Sequence, residues 1–174
     1  MNIFYLDRDP KAAAQMHCDK HVVKMILESA QMLSSAHRFL DGDQYADKVG
    51  LYKMAHKNHP STCWVRFSDE HYKWMYNLML SQMEEYTYRY DKHHATERLI
   101  EPLRPLPFFI KRNGFVDPPM CMPDYYKSDD TVSSYQNYYI VEKSDFATWK
   151  RRARPKWFSP IKGGLNEYHT GLCL

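Results

Sequence analysis

Five side chains spaced by three and four residues, His17, His21, Lys24, Glu28 and Gln31, fall on one face of a helix and form a continuous polar ridge. Lys20 stands on its flank. Apolar positions border the ridge on both sides, Val22, Val23, Ile26, Leu27, Ala30 and Leu33, so the helix is expected to press against the rest of the protein along those edges. Such a ridge is either the solvated side of an amphipathic helix or the floor of a site. Two histidines one turn apart could offer imidazoles to a metal ion, but Lys20 and Lys24 repel a cation and no HExxH pattern supplies a base, so no metal is expected. An anionic substrate uses the whole ridge: Lys20 and Lys24 hold a phosphate while His21 or Glu28 transfers protons.

Two further segments carry the same chemistry. His56-Lys57-Asn58-His59-Pro60 leads to Trp64 and Arg66, which pairs phosphate-binding cations with an indole able to stack on a base, although Trp64 could equally fill the core and His59 cap a turn. Lys150, Arg151, Arg152, Arg154 and Lys156 are interleaved with Trp149, Trp157 and Phe158, the basic and aromatic composition that nucleic-acid binding requires. The candidate nucleic-acid contacts are therefore Lys20, His59, Trp64, Arg66, Lys150, Arg151, Arg152 and Trp157.

Elements must position these groups. Asp9-Pro10 is a helix start, since Asp caps free amides and Pro fits the first turn, and the pattern predicts one helix from there to about Phe39. Asp41-Gly42-Asp43-Gln44 reads as a turn. Ser68, followed by Asp69 and Glu70, predicts the N-terminus of a second long helix running over His71 to Tyr90, which contains no Gly or Pro. Its Trp74, Met75, Leu78, Met79 and Met83 recur with helical spacing as core residues, not as a cofactor box, and no cofactor is expected. A short helical piece is predicted over Ala95 to Glu101. Pro102, Pro105 and Pro107 then impose an extended connection that continues to about Lys127 and is expected to wrap over the helices. Asp129 or Asp130 caps a last helix from Thr131 to about Trp149. Ile3 to Leu6 is the one short strand candidate.

The chain of 174 residues is long enough for one domain. The reading is a mostly α, single compact domain of about three to four helices with a long Pro-rich wrapping loop, residues 1–160 forming the domain and 161–174 a flexible tail. A formal charge of +3 excludes indiscriminate nucleic-acid binding by net field and leaves local patches to do it. With 6 Gly the chain is not a Gly-rich phosphate-loop protein, and its 14 Tyr and 4 Trp must be packed or used. Cys18, Cys63, Cys121 and Cys173 form no CxxC pair and are read as reduced thiols. The start lacks a basic segment followed by a long apolar run, and no stretch approaches the roughly 18 apolar residues that span a bilayer, so a cytoplasmic location without membrane partner is expected. No obligate protein partner is inferred.

The run from Asp19 to Leu33, the step Lys57-Asn58-His59-Pro60 and a long helix ending near Glu85 and Arg89 resemble the small all-helical pyrimidine-dimer DNA glycosylases of the phage endonuclease V type. The Lys24, Glu28 and Gln31 spacing is the best point of contact, and the likeness covers roughly residues 1–90. It implies an enzyme that flips nucleotides from DNA and attacks the sugar C1′ with its N-terminal α-amine, forming a Schiff base that permits strand cleavage. The carried-over nucleophile is Met1, which its bulky neighbour Asn2 is expected to keep in place. In the register of Lys24 and Glu28 the family's catalytic glutamate falls on His21, read here as the proton-transfer group, with Glu28 two turns away, about 10 Å along the axis. The catalytic set is thus Met1, His21, Lys24 and Glu28, and DNA is the expected partner. A nucleotide- or base-modifying transferase or hydrolase using the same ridge, and a non-catalytic nucleic-acid-binding module, are the alternatives.

Overall fold

A computed structural model describes residues 1–159; the expected tail at 161–174, with Cys173, lies outside them. The described residues contain α1 (Pro10–Met16), α2 (Asp19–Asp41), α3 (Asp43–Lys48), α4 (Pro60–Phe67), α5 (Asp69–Tyr90), α6 (Ile100–Leu103) and α7 (Thr131–Lys143), with 3-10 turns at Ala95–Leu99 and Asp124–Tyr126. The mostly α reading holds, and the helix count is higher than the three to four read from the sequence.

Three breaks divide the chain further than its periodicity indicated. The first predicted helix breaks at His17-Cys18, where both residues adopt extended ψ values of 134° and 164°. Buried Arg89 fixes this break, donating to the carbonyls of Gln15 (3.0 Å) and His17 (2.9 Å) and to the Asp19 carboxylate (3.0 Å). His17 consequently leaves the ridge for the core, where its Nε2 meets the Phe4 carbonyl (3.1 Å). Gly42, at φ 80°, separates α2 from α3. His59 and Pro60 begin α4 a full element before the Ser68 start, the His59 ring accepting from the Ser61 amide (3.2 Å).

The Ser68 cap is where the sequence placed it, its Oγ accepting from Glu70 N (3.2 Å). Asp130 likewise caps α7, which stops at Lys143 instead of about Trp149. Beyond it the chain returns to α2, Thr148 donating its hydroxyl to Asp19 (2.8 Å) and its carbonyl accepting from Asp19 N (2.8 Å). No strand forms at Ile3–Leu6: the segment is buried, Phe4 takes a left-handed φ of 52°, and Asn2 Oδ1 accepts the amides of Ile3 and Phe4.

α2 packs mainly on α5, α1 lies on α5, and α4 bridges α2 and α5. Their shared core holds Met25, Ile26, Met32 and Leu33 of α2 with Tyr72, Met75, Leu78 and Met79 of α5, and it includes Tyr135 and Tyr139 of α7. The long connection after α6 wraps as expected. It is pinned at Lys111 O to Asp69 N (2.9 Å), at Gly114 O to Ser68 Oγ (2.6 Å), at Val116 O to Trp64 Nε1 (2.9 Å) and at Cys121 O to Asn2 Nδ2 (3.0 Å). Among the described residues no helix is long and apolar enough to cross a membrane.

Candidate functional site

The N-terminus is the point where these elements converge. Asn2 anchors it by bonding the wrapping loop through its side chain and the following amides through its Oδ1, while Thr62 of α4 donates to Met1 Sδ (3.4 Å). Glu28 Oε2 accepts from the Asn2 amide (3.3 Å), and its Oε1 pairs with Lys24 Nζ (3.1 Å). The Glu28 side chain is 13% exposed and that of Lys24 69%, so a mostly sheltered carboxylate lies one residue from the chain's first amine with an exposed cation on its outer side.

His59 faces the same point. Burial pushes its pKa down, and the positive charges of the N-terminus and His56 push it further, against an opposing pull from Glu28. The ring is therefore neutral near neutral pH. Because its Nδ1 accepts from Ser61 N, its proton is on Nε2, and His59 presents a hydrogen-bond donor. Beside it an open groove of about 500 Å³ runs along His59, Pro60, Pro119 and Cys121. Backbone strain gathers here too: Phe4 and His56, at φ 52° and 47°, are two of the four non-glycine residues in the left-handed region among the described residues.

His21 lies beneath this site, not in its mouth. Its ring stacks on Phe4 at 4.2 Å between centroids, and its Nδ1 meets the Tyr139 hydroxyl at 2.7 Å. Tyr139 OH also accepts from Cys18 N (2.8 Å), which leaves its proton for His21. Burial, then the neighbouring His17, Lys143 and Lys24, lower the His21 pKa to about 3. The ring is thus held neutral and nearly closed off, and it supports the bend at Phe4.

The structure therefore brings Met1, Lys24, Glu28 and His59 together. Lys20 is eight residues before Glu28 on α2, about 12 Å along the axis, with its Nζ over the Phe146 ring at 4.5 Å. Lys143, which the sequence reading omitted, joins this cationic rim from α7 and lies 4.8 Å from the Tyr138 ring centroid; burial lowers its pKa.

The other candidates are placed elsewhere. Trp64 is buried, donates to Val116 O and stacks on His71 at 4.3 Å. Arg66 lies at the far end of α4, over Phe39 at 4.0 Å. Two cations of the basic segment after α7 are neutralised within the protein: Arg152 forks onto buried Glu85 (2.8 and 2.9 Å) and Arg151 pairs with Asp91 (2.6 Å), while the Lys150 backbone amide bonds Asp19 (2.9 Å) and its ammonium lies 5.3 Å from the Tyr90 ring centroid. Trp157 Nε1 points at Met16 Sδ (3.4 Å). Asn2, Thr62 and Cys121 were missed, because each reaches the site through a contact spanning a large sequence separation; only the Pro118-Pro119 pair hinted that the wrapping loop is rigid there.

Chemically the arrangement offers an amine, a sheltered carboxylate, a neutral N–H donor and a cationic rim. Among the described residues no group of three or more His, Cys, Asp or Glu side chains is placed to hold a metal ion. Comparison with models of known families, with curated proteins and with solved structures gives no match.

Proposed function

We propose that the protein acts on DNA, with the α-amine of Met1 as nucleophile and Glu28 as the carboxylate that serves it. The observation carrying this reading is the seating of the N-terminus: Glu28 Oε2 is bonded to the Asn2 amide, and His59 feels the positive charge of the terminal amine. The distance from His21 along α2, which set Glu28 two turns away from the expected catalytic position, is not the relevant one once the residue that follows the amine is bonded to Glu28.

On an abasic sugar the amine adds to the C1′ aldehyde, its released proton passes to Glu28, and loss of water leaves an imine at C1′. Removal of a C2′ proton then expels the 3′ phosphate and breaks the strand. On an intact nucleotide the N–C1′ bond forms as the bond to the base breaks, the base leaving with its electron pair. In both cases Glu28 also faces the positive charge that develops on the sugar, a role favoured by its shelter from water. Lys24, Lys20 and Lys143 meet the phosphates, and the His59 Nε2–H is a donor to the leaving group or a phosphate oxygen. The resemblance to endonuclease V-type glycosylases supports the same assignment of Met1, and Glu28 takes the part the register had given to His21.

The test is Glu28→Gln, which keeps shape and hydrogen bonding and removes the charge. Cleavage of abasic duplex DNA should fall by about 10²- to 10⁴-fold with duplex affinity unchanged. Full cleavage by the variant overturns the role of Glu28. Cleavage lost in proportion to binding favours the non-catalytic module instead, and turnover on nucleotides or modified bases that survives N-terminal blocking favours the transferase or hydrolase reading.

A further inference from the structure

The site described above opens onto a surface that its chemistry does not use. The groove at His59 and Cys121 adjoins a second of about 390 Å³, with which it shares Pro60 and Pro119. This one adjoins a third of about 290 Å³ through Cys63 and Phe67. Together they form a track along the outer face of α4, a helix of 8 residues and about 12 Å, that ends at Phe109 and Lys111 of the wrapping loop.

Two properties distinguish the far end. Large rings stand in solvent: Phe108 is 84% exposed, Phe109 64%, Phe67 57% and Phe39 44%. An apolar surface of this kind on a soluble domain marks a binding site. The loop that carries it is held in place, the Asp41 carboxylate accepting from the amides of Phe108 (2.8 Å) and Phe109 (3.1 Å). Cations also accompany the rings. Arg66 and Lys57 lie over Phe39 at 4.0 and 5.2 Å, and Lys111 and Arg112 follow the phenylalanine pair in sequence. None of these four makes an ion pair with a described residue; Arg66 donates to the Lys57 carbonyl (2.6 Å) and to Cys63 Sγ (3.1 Å), and Arg112 is close enough to Asp69 to lower its pKa. Among the described residues the one carboxylate lining the track, Asp117, is occupied by the Tyr5 hydroxyl (2.9 Å) and Arg8 (3.5 Å).

We propose that this track binds a single strand of nucleic acid, leading from the Met1–Glu28 site to the exposed phenylalanines. Bases stack on Phe67 and Phe109, and phosphates meet Lys57, Arg66, Lys111 and Arg112. Cations that lack an ion-pair partner among the described residues, beside flat rings, match a ligand that alternates phosphate and base, and continuity with the reactive site gives the strand a reason to be there. This inference rests on the DNA-acting reading and adds the binding surface to it. Strand flanking the reacting nucleotide is unpaired along this path, so recognition there is by stacking, without base-specific readout.

The test is fluorescence anisotropy of a short labelled oligothymidylate with the full chain. Four phosphate contacts give a slope of log affinity against log salt near about −3, and Arg66→Gln should make it shallower by about 0.7. Phe109→Ala and Phe67→Ala, both at exposed positions, should each weaken binding by about 5- to 150-fold without moving the thermal midpoint. Unchanged affinity in both phenylalanine variants, or no binding of oligothymidylate at low salt, overturns the track. So does Phe109-dependent binding of an acidic, leucine-bearing peptide in place of the oligonucleotide, which makes the surface a protein-docking site. The two proposals separate cleanly: loss of strand binding in Phe109→Ala with no cleavage activity in the parent chain refutes the amine chemistry and keeps the track, whereas amine-dependent cleavage with track variants that bind normally does the reverse.

Discussion

Acid should loosen this protein well above the pH at which ordinary carboxylates titrate, because two histidines are buried in neutral form beneath the N-terminus. His17 is wholly enclosed; burial, and then the charge of Arg89, outweigh its bond to Phe4 O and the opposing charge of Glu85, so its pKa is pushed down to about 4. His21, hemmed by Phe4, Tyr139 and Phe146 and near Lys24 and Lys143, is pushed down to about 3. Unfolded histidine titrates near about 6.5. Below that value the unfolded chain takes up a proton at each site and the folded chain does not, so stability falls as pH falls, with the full contribution present only above about 6.5. At about 1.4 kcal/mol for each tenfold change in proton concentration, the step from pH 7 to pH 5 costs about 2 kcal/mol for each histidine. The pair thus removes about 4 kcal/mol, a large part of the 5–15 kcal/mol typical of a domain. Urea unfolding at pH 7, 6 and 5 measures it, and His17→Gln and His21→Gln should each remove about one proton from the pH dependence. Equal pH dependence in the parent chain and both variants would refute the assignment of these rings as buried and neutral.

Three other outcomes follow from named contacts. Arg89→Met removes a buried charge that bonds Glu85, Asp19 and two carbonyls at the α1–α2 break, leaving Glu85 with Arg152 alone and the two carbonyls without this donor, so it should cost about 3–5 kcal/mol and lower the thermal midpoint by about 6–20 °C in calorimetry; a loss under about 1 kcal/mol contradicts the network. Gly42→Ala meets no atom within 4 Å, yet its φ of 80° with ψ −173° is a glycine conformation, and denaturant unfolding should register a loss of about 1–3 kcal/mol from backbone alone. Lys20→Gln and Lys24→Gln should each flatten the salt dependence of duplex binding by about 0.9, and unaltered slopes would remove the cationic rim from the DNA interface.

Local chemistry made much of the fold legible. Ser68 and Asp130 are short polar caps followed by helix-compatible runs, and the proline cluster after Glu101 permits little but an extended path. The break at His17 was hidden because nothing within a few residues requires it: Arg89, seventy-two positions later, imposes it by claiming the carbonyls. The same limit governs the site. Lys24 and Glu28 were readable from helical spacing, but spacing measures distance only along one helix, and the partner that gives Glu28 meaning is the amine end delivered by Asn2 and the Cys121 loop. At the basic segment after α7 composition showed the cations but not their partners: Arg151 meets Asp91, the cap of α5, and Arg152 meets Glu85 within it, acids that lie remote in sequence.

Borohydride trapping on abasic duplex DNA, followed by mass mapping of the adduct, tests the central claim most directly. The account predicts a covalent adduct in which the imine at C1′ is reduced to a secondary amine on the first residue, lost when the N-terminus is acetylated and formed far more slowly by Glu28→Gln. An adduct on a lysine side chain, or none at all from a chain that binds the DNA, would contradict it.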